Sequence, residues 1–165
     1  MEANMFQALH MEQNEVLMCR FLADLLDPKG WHGRTDFLES FLKRFDILEL
    51  ENAEKENLHF EKTCVMTEYV IDNGRRIDIV LQHPNFFIPI EAKINARDQE
   101  GQCYDYSFYT RSAKLVYLTK NGSDPSEWSR MPAGGTDGGR KEKILSNDRV
   151  RKISWQAMRI CSAGW

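Results

Sequence analysis

The chain has 165 residues, of which 42% are hydrophobic and 28% are charged. This length fits one domain of about 100–200 residues, and the composition is that of a globular protein rather than a disordered one. The formal net charge of −3 does not by itself favour a nucleic-acid partner. Residues 1–72 carry 7 Lys and Arg against 15 Asp and Glu, whereas residues 73–165 carry 15 against 10. The total therefore hides an acidic first part and a basic second part.

The sequence argues against a membrane protein and against a secreted one. No stretch reaches the roughly 18 consecutive apolar residues of a membrane span, and the acidic start of the chain lacks the basic region of a secretory signal. The four cysteines are far apart and form no CxxC pair, which disfavours a zinc site. Scattered cysteines of this kind are typical of reduced, buried thiols. We therefore expect a cytoplasmic protein without a membrane partner.

Residues 1–45 are expected to form two leader helices. The apolar residues of NEVLMCRFLADLLDP recur with helical spacing, with Asn14 as the N-cap and Asp27-Pro28 at the end. The apolar stripe of this first helix consists of Val16, Leu17, Phe21, Leu22, Leu25 and Leu26. After the turn PKGWHGRTD, a second stripe in TDFLESFLKRF predicts another helix, capped by Thr35 or Asp36. The charged segment ELENAEKEN lacks a stripe and is expected to be a solvated helix end or a connector.

Residues 60–120 are expected to form the core of the domain. The segments FEKTCVMTEYVI, RRIDIVLQH and FFIPIEAKI predict three strands, and Asn73-Gly74 is a strong hairpin signal between the first two. RDQEGQCYDYSFYTR has the length and spacing of a helix, and KLVYLTK predicts a strand buried on both faces. We expect Trp31, Phe86 and Phe87 to belong to the apolar core rather than to a base-stacking platform.

The rest of the chain completes a single domain over residues 1–165. Residues 120–142 are predicted to form a flexible loop, because the GGTDGG cluster lacks the strand and helix of a phosphate-binding loop. Residues 143–165 predict a last strand, VRKISW, and the start of a helix. We therefore expect a short or truncated chain whose apolar surface is covered by a second copy, as a homodimer. The fold class is α/β (α+β), with a mixed four-to-five-stranded sheet flanked by helices in the order α-α-β-β-β-α-β.

Three charged residues in the second and third strands suggest a chemical site. Asp78 stands in an otherwise apolar strand, where an unpartnered carboxylate is costly to bury. Glu91 and Lys93 are two residues apart on the next strand and project from the same face, which the hairpin brings beside Asp78. Two carboxylates suit Mg²⁺, a metal ion polarises a phosphodiester, and a lysine stabilises developing negative charge. Glu-x-Lys alone is more often a salt bridge, and the preceding Asp78 favours the site.

The segments GRRIDIVLQ and FFIPIEAKINARDQEGQCYDY resemble the core of the PD-(D/E)XK nuclease superfamily. The leader resembles the first helices of an uncharacterised bacterial branch, and together the similar segments span residues 12–120. The resemblance implies a restriction-endonuclease-like fold in which Asp78 and Glu91 bind Mg²⁺ or Mn²⁺ and Lys93 is catalytic. Ile77 stands where the family often has proline. Gln102 and Tyr106 match the QxxxY helix motif of the RecB-like branch, which implies a catalytic role for Gln102.

Five accessory candidates each have two interpretations. Glu15 resembles an acid that some members add to the metal site, but it also suits a helix start, where the dipole favours a carboxylate. Glu68 is a candidate beside the site, although a strand-face salt bridge is favoured. His32 has a catalytic or a turn-forming role, and Gln99 lines the cleft or starts a solvated helix. Tyr106 contacts DNA or packs in the core.

Basic residues are candidates for contacts with the nucleic-acid backbone, although each is also an ordinary solubilising charge. Such contacts give affinity without sequence information. The candidates are Arg75, Arg76, Arg97, Arg140, Lys141, Lys143, Arg149, Arg151 and Lys152. The sequence thus predicts a metal-dependent nuclease that hydrolyses DNA, with RNA not excluded, in repair, restriction or phage defence. The alternatives are a non-catalytic module that binds nucleic acid or protein through the same fold, and a structural subunit of a larger assembly.

Overall fold

The computed structural model describes residues 14–134 and 144–158. Its α-helices are α1 (Glu15–Leu26), α2 (Asp36–Arg44), α3 (Asn52–Glu56), α4 (Gln102–Ser107) and α5 (Glu127–Arg130). Its strands are β1 (Cys64–Val70), β2 (Arg76–His83), β3 (Phe86–Lys93), β4 (Leu115–Thr119) and β5 (Val150–Ser154). Short 3₁₀ turns occupy Phe60–Lys62, Asn147–Arg149 and Trp155–Met158. The predicted order is confirmed, whereas the homodimer stays a prediction and the helix beyond residue 158 lies outside the described residues.

The five strands form one mixed sheet in the order β1-β2-β3-β4-β5. The first three strands are antiparallel neighbours, and β4 and β5 add to them in parallel. Parallel neighbours require a crossover connection, and α4 and α5 lie in the two crossovers. The predicted α/β class, with a mixed sheet flanked by helices, is confirmed.

The first helix agrees with its sequence signals, except that two apolar residues in its first turn are exposed. The Asn14 side chain accepts a hydrogen bond from the Leu17 backbone N–H at 3.0 Å, as an N-cap does. Val16 and Leu17, which the spacing assigns to the apolar stripe, are 58% and 42% exposed. The buried face consists of Met18, Cys19, Leu22, Ala23 and Leu26. Val16 is exposed because it borders a small cleft between α1 and the sheet instead of packing in the core.

Trp31 is not a core residue, and this prediction was wrong. Its side chain is 84% exposed, because the turn between α1 and α2 lies outside the two apolar clusters. Its ring lies edge-to-face against the His32 ring, with the ring centroids 5.7 Å apart. Phe86 is fully buried and Phe87 packs against the core, as predicted.

The helix predicted for residues 97–111 is much shorter than its pattern, since only Gln102–Ser107 is helical. Gly101 precedes it with φ of +67°, and a Cβ at this position would lie 2.9 Å from the Ala133 backbone nitrogen. The turn therefore requires glycine, and the helix begins only after it. The predicted loop over residues 120–142 contains the short helix α5, capped by the Ser126 hydroxyl. Residues 135–142 lie outside the described part of the chain.

Candidate active site

The alternation of side chains along β2 is interrupted at Asp78. Ile79 packs in the apolar cluster formed with α1 and α2, whereas Ile77 and Val80 pack in the cluster formed with α4. Residues two apart on a regular strand lie on the same face, so the strand is rotated between Ile77 and Ile79. The pairing with β1 passes from Thr67↔Ile79 to Tyr69↔Ile77. Asp78 is therefore left out of the regular ladder.

The Asp78 side chain accepts a hydrogen bond from a backbone N–H of β3, just before the backbone pairing of β2 and β3 begins. Its Oδ2 accepts a hydrogen bond from the Ala92 backbone N–H at 2.8 Å. The backbone ladder between these strands begins one residue later, at Ile79↔Ile90. The hydrogen bond fixes the carboxylate beside β3, next to Glu91. The hairpin thus brings together the two acids in the way that the sequence predicts.

Glu91 and Lys93 form a buried ion pair on β3. Glu91 Oε1 lies 2.6 Å from Lys93 Nζ, and the two side chains are 1% and 10% exposed. Glu91 Oε2 is buried and has no hydrogen-bond partner among the described residues. One oxygen of the carboxylate is thus satisfied, while the other has no compensation for its loss of hydration.

Full ionisation of the acids at this site would place more negative charge there than their surroundings compensate. Burial, and next the charge of Asp78, raise the pKa of Glu91 to about 8, and Lys93 only partly opposes them. Burial also raises the pKa of Asp78, against the Ala92 hydrogen bond and the charge of Lys93. For Lys93, burial is the largest single cause and acts downward, but the nearby carboxylates of Glu91, Asp78 and Glu15 together raise the pKa. A cation bound between the acids would relieve this imbalance.

Glu15 reaches the same site from the first turn of α1. Its Oε2 accepts a hydrogen bond from the Ile94 backbone N–H at 2.7 Å, directly after β3. With Glu68 and Asp78 it lines a small cleft of about 80 Å³ between α1 and the sheet. Glu15 therefore starts the helix and also borders the site, so both interpretations of this residue describe its position.

Gln102 and Tyr106 lie on one face of α4 and are buried against β2. The Gln102 amide N–H donates to the Tyr106 hydroxyl at 3.2 Å, and this hydroxyl donates to the Arg76 carbonyl at 2.5 Å. The Gln102 carbonyl oxygen is buried and has no hydrogen-bond partner among the described residues. Tyr106 is thus a core residue. Its hydrogen bond to Arg76 attaches α4 to β2, two residues before Asp78.

Of the accessory candidates still to be placed, His32 and Gln99 do not line the cleft, whereas Glu68 does. His32 Nε2 donates to the Asp24 carbonyl at 3.1 Å and its Nδ1 accepts from the Arg34 N–H, so His32 shapes the turn after α1. Gln99 is exposed, with its side-chain oxygen 3.4 Å from Arg75. Glu68 lines the cleft and also forms the strand-face ion pair that the sequence favours, with Arg76 at 3.2 Å.

Four of the nine predicted backbone-binding cations have acidic partners among the described residues. The pairs are Arg75–Asp105 at 2.8 Å, Arg76–Glu68 at 3.2 Å, Arg151–Asp46 at 3.0 Å and Lys152–Asp124 at 3.0 Å. Arg149 instead donates to the Thr110 hydroxyl. Arg97 is exposed and forms no ion pair with the part of the chain that the structure describes. Arg140, Lys141 and Lys143 lie outside the described residues.

Sequence reasoning missed one cation at the cleft, Arg20. Its exposed side chain lines the cleft with Glu15 and Asp78, and within the described ranges no acid forms an ion pair with it. Arg20 follows Cys19, which stands one helical turn after Glu15 and also lines the cleft. Arg20 also stands four residues after Val16, another residue of the cleft. This spacing, which puts Val16 and Arg20 on one face of α1, is the signal that would have pointed to Arg20.

The residues present suit a divalent cation, although those that the structure describes form no complete ligand cage. Over residues 14–134 and 144–158, no group of three or more His, Cys, Asp or Glu side chains is arranged to hold a metal ion. Mg²⁺ is usually bound by one or two carboxylates, together with waters and substrate phosphates. Asp78 and Glu91 provide two such carboxylates. Glu91 Oε2, which has no hydrogen-bond partner among the described residues, is free to act as a metal ligand. The donor set therefore fits Mg²⁺ or Mn²⁺.

Comparison with known proteins agrees with this geometry. The family model of the PD-(D/E)XK nuclease superfamily matches residues 3–163. The chain belongs to this superfamily, which supports a nuclease-type function. No curated protein and no solved structure matches the chain significantly. The assignment of Gln102 and Tyr106 to a RecB-like motif stays a prediction.

The helices that the structure describes are too short or too polar to cross a membrane. The longest of them, α1, has 12 residues, whereas a span needs about 20.

Proposed function

We propose that this protein is a Mg²⁺- or Mn²⁺-dependent nuclease that hydrolyses DNA phosphodiester bonds. The observation that carries the proposal is the Asp78 carboxylate, which the Ala92 N–H holds beside the buried Glu91–Lys93 pair. A role in DNA repair, restriction or phage defence and a cytoplasmic location belong to the same proposal. The free thiols of Cys19, Cys64 and Cys103 support a reducing compartment, although Cys64 is exposed rather than buried as the sequence predicts.

Asp78 and Glu91 would hold the metal ion from two adjacent strands. The bound ion would polarise the phosphodiester and lower the pKa of the attacking water. Glu91 faces Lys93 at 2.6 Å, so a carboxylate drawn towards a cation would leave the ammonium group available. Lys93 would then orient the water or stabilise the negative charge that develops on the phosphate.

The remaining groups would hold the substrate and the catalytic residues in place. Arg20 and Arg76 stand at or beside the cleft and supply positive charge for the nucleic-acid backbone. Gln102 would orient Lys93 or the substrate through its unpartnered carbonyl oxygen. Tyr106 fixes the helix that carries Gln102 through its hydrogen bond to the Arg76 carbonyl.

The test is cleavage of single-stranded DNA, double-stranded DNA and RNA in the presence of Mn²⁺ or Mg²⁺, with EDTA as the reference. The matched control is Asp78→Asn, because the asparagine oxygen still accepts the Ala92 hydrogen bond while the metal-binding charge is lost. We expect metal-dependent cleavage of DNA by the wild type and none by the variant.

Equal cleavage by the wild type and the variant, or no metal-dependent cleavage of any substrate, would overturn the enzymatic proposal. Nucleic-acid binding without cleavage and without metal uptake would support the non-catalytic module instead. Cleavage of RNA alone would retain the metal site and correct the substrate.

A further inference from the structure

Glu68 has an unusual backbone conformation in the middle of an edge strand. Its φ is +52°, in the left-handed region that side-chain-bearing residues avoid. By register it lies opposite Asp78, between the pairs Thr67↔Ile79 and Tyr69↔Ile77. Strained backbone is most often retained where it serves a site.

The consequence of this conformation is a change in where the side chain points. Consecutive residues of a strand normally face opposite sides of the sheet, yet Thr67 and Glu68 both line the cleft beneath α1. The left-handed Glu68 of β1 therefore lies opposite Asp78, where β2 is rotated. Together these two features bring the Glu68 and Asp78 carboxylates to one cleft.

Glu68 is also the acidic partner of Arg76. One carboxylate oxygen lies 3.2 Å from Arg76 Nη1, and both side chains are about two-thirds exposed, at 68% and 64%. A single contact between exposed groups is weak, and it engages one of the five N–H donors of the guanidinium. Phosphate and guanidinium form stronger, often bidentate pairs, so a phosphate is able to displace this carboxylate.

Arg76 is close enough to the site to contact the same nucleic-acid strand. It precedes Asp78 by two residues on β2, which separates their α-carbons by roughly 7 Å. This span is about that between successive phosphates of a nucleic-acid backbone. A strand with one phosphate at Asp78 therefore has a neighbouring phosphate within reach of Arg76.

We propose that Glu68 competes with the nucleic-acid phosphate for Arg76. In the free protein the Glu68 carboxylate occupies the guanidinium, and on binding a backbone phosphate takes its place. This inference rests on the proposed nuclease function, because it requires nucleic acid in the cleft. Glu68 is accordingly a device that weakens substrate binding, and removing its charge strengthens binding through Arg76.

The test is a double-mutant cycle for DNA binding with the full chain. Fluorescence anisotropy of a labelled oligonucleotide, in EDTA and over a range of salt concentrations, gives the affinity of the wild type, Glu68→Gln, Arg76→Gln and the double variant. We expect Glu68→Gln to bind several-fold more tightly. Arg76→Gln should bind more weakly and lower the salt slope by about 1. In the Arg76→Gln background, Glu68→Gln should have no effect.

The pair Arg34–Asp36 is a matched control. It is a comparably exposed ion pair, at 2.6 Å, but lies in the turn at the other end of α1 from Glu15. Asp36→Asn and Arg34→Gln should show no coupling in DNA binding. Thermal unfolding of every variant checks that each is folded.

Each outcome of the cycle decides the inference. If Glu68→Gln increases DNA affinity equally with and without Arg76, the effect is one of general charge, and the proposed competition is overturned. No gain in either background would overturn it as well. Wild-type protein that cleaves DNA but shows no coupling refutes this inference alone, whereas wild-type protein that neither binds nor cleaves nucleic acid refutes the proposed function with it.

Discussion

The buried Glu91 should make the metal-free protein lose stability as the pH rises. Its carboxyl keeps a proton up to a pKa of about 8 in the folded chain, whereas the ordinary value is 4.5. Between these two values the folded state binds more protons than the unfolded state. The free energy of unfolding therefore falls as the pH rises through this window and levels off above the folded pKa.

The size of the effect follows from the shift. The difference of about 3.5 between the two pKa values corresponds to about 5 kcal/mol if the window is crossed completely. Between about pH 5.5 and about pH 8.5 the expected loss is about 3 kcal/mol, because part of the window lies below this range. Glu91 is 1% exposed, so solvent screening hardly reduces this magnitude. The raised pKa of Asp78 acts in the same direction.

Urea unfolding in EDTA at these two pH values, for the wild type and Glu91→Gln, measures the effect. The comparison between the two proteins removes other titrating groups, such as His83, whose lowered pKa acts in the opposite direction at acidic pH. The exposed Glu49, changed to Gln, is the control and should keep the wild-type pH dependence. If wild type and Glu91→Gln have the same pH dependence, the buried carboxyl is not protonated as we argue.

Three further outcomes are expected. Saturating Mn²⁺, at about 100 times its dissociation constant, should raise the free energy of unfolding by about 2.7 kcal/mol for the wild type but not for Asp78→Asn. Tyr106→Phe should cost about 1–3 kcal/mol in urea unfolding, because the Arg76 carbonyl loses its donor. Glu68→Gly should stabilise the fold by roughly 1 kcal/mol, because glycine adopts φ of +52° without strain.

Each of these outcomes has a result that contradicts it. Equal stabilisation of wild type and Asp78→Asn by Mn²⁺ would place the metal elsewhere. An unchanged unfolding midpoint for Tyr106→Phe would mean that water readily replaces the hydroxyl at Arg76. A destabilised Glu68→Gly would show that the Glu68 side chain contributes more to the fold than its backbone conformation costs.

The core of the site follows from local rules that the sequence displays. The two-residue spacing of Glu91 and Lys93 on one strand, and the hairpin that returns from β2 to β3, place both residues beside Asp78. The antiparallel order β1-β2-β3 follows equally from the short connections between these strands and from their hydrophobic pattern. These features depend on near neighbours in the chain, which is why the pattern predicts them.

The rest of the site depends on contacts that no local pattern displays. The rotation of β2 at Asp78 is set by two separate apolar clusters, and the left-handed Glu68 is its counterpart on β1. The positive charge of residues 73–165 predicts basic side chains that contact DNA. Arg151, however, is paired with Asp46, which is 105 residues away in the sequence. Arg20 belongs to the cleft only because α1 packs over the sheet.

The most direct test of the central claim compares Mn²⁺ binding and DNA cleavage in Lys93→Met. The claim is that Asp78 and Glu91 hold the metal while Lys93 acts on the reacting groups. The variant should bind Mn²⁺ in a calorimetric titration and yet cleave DNA at least about 100-fold more slowly than the wild type, the size of a general acid–base contribution. Cleavage at the wild-type rate by metal-loaded Lys93→Met would contradict the account.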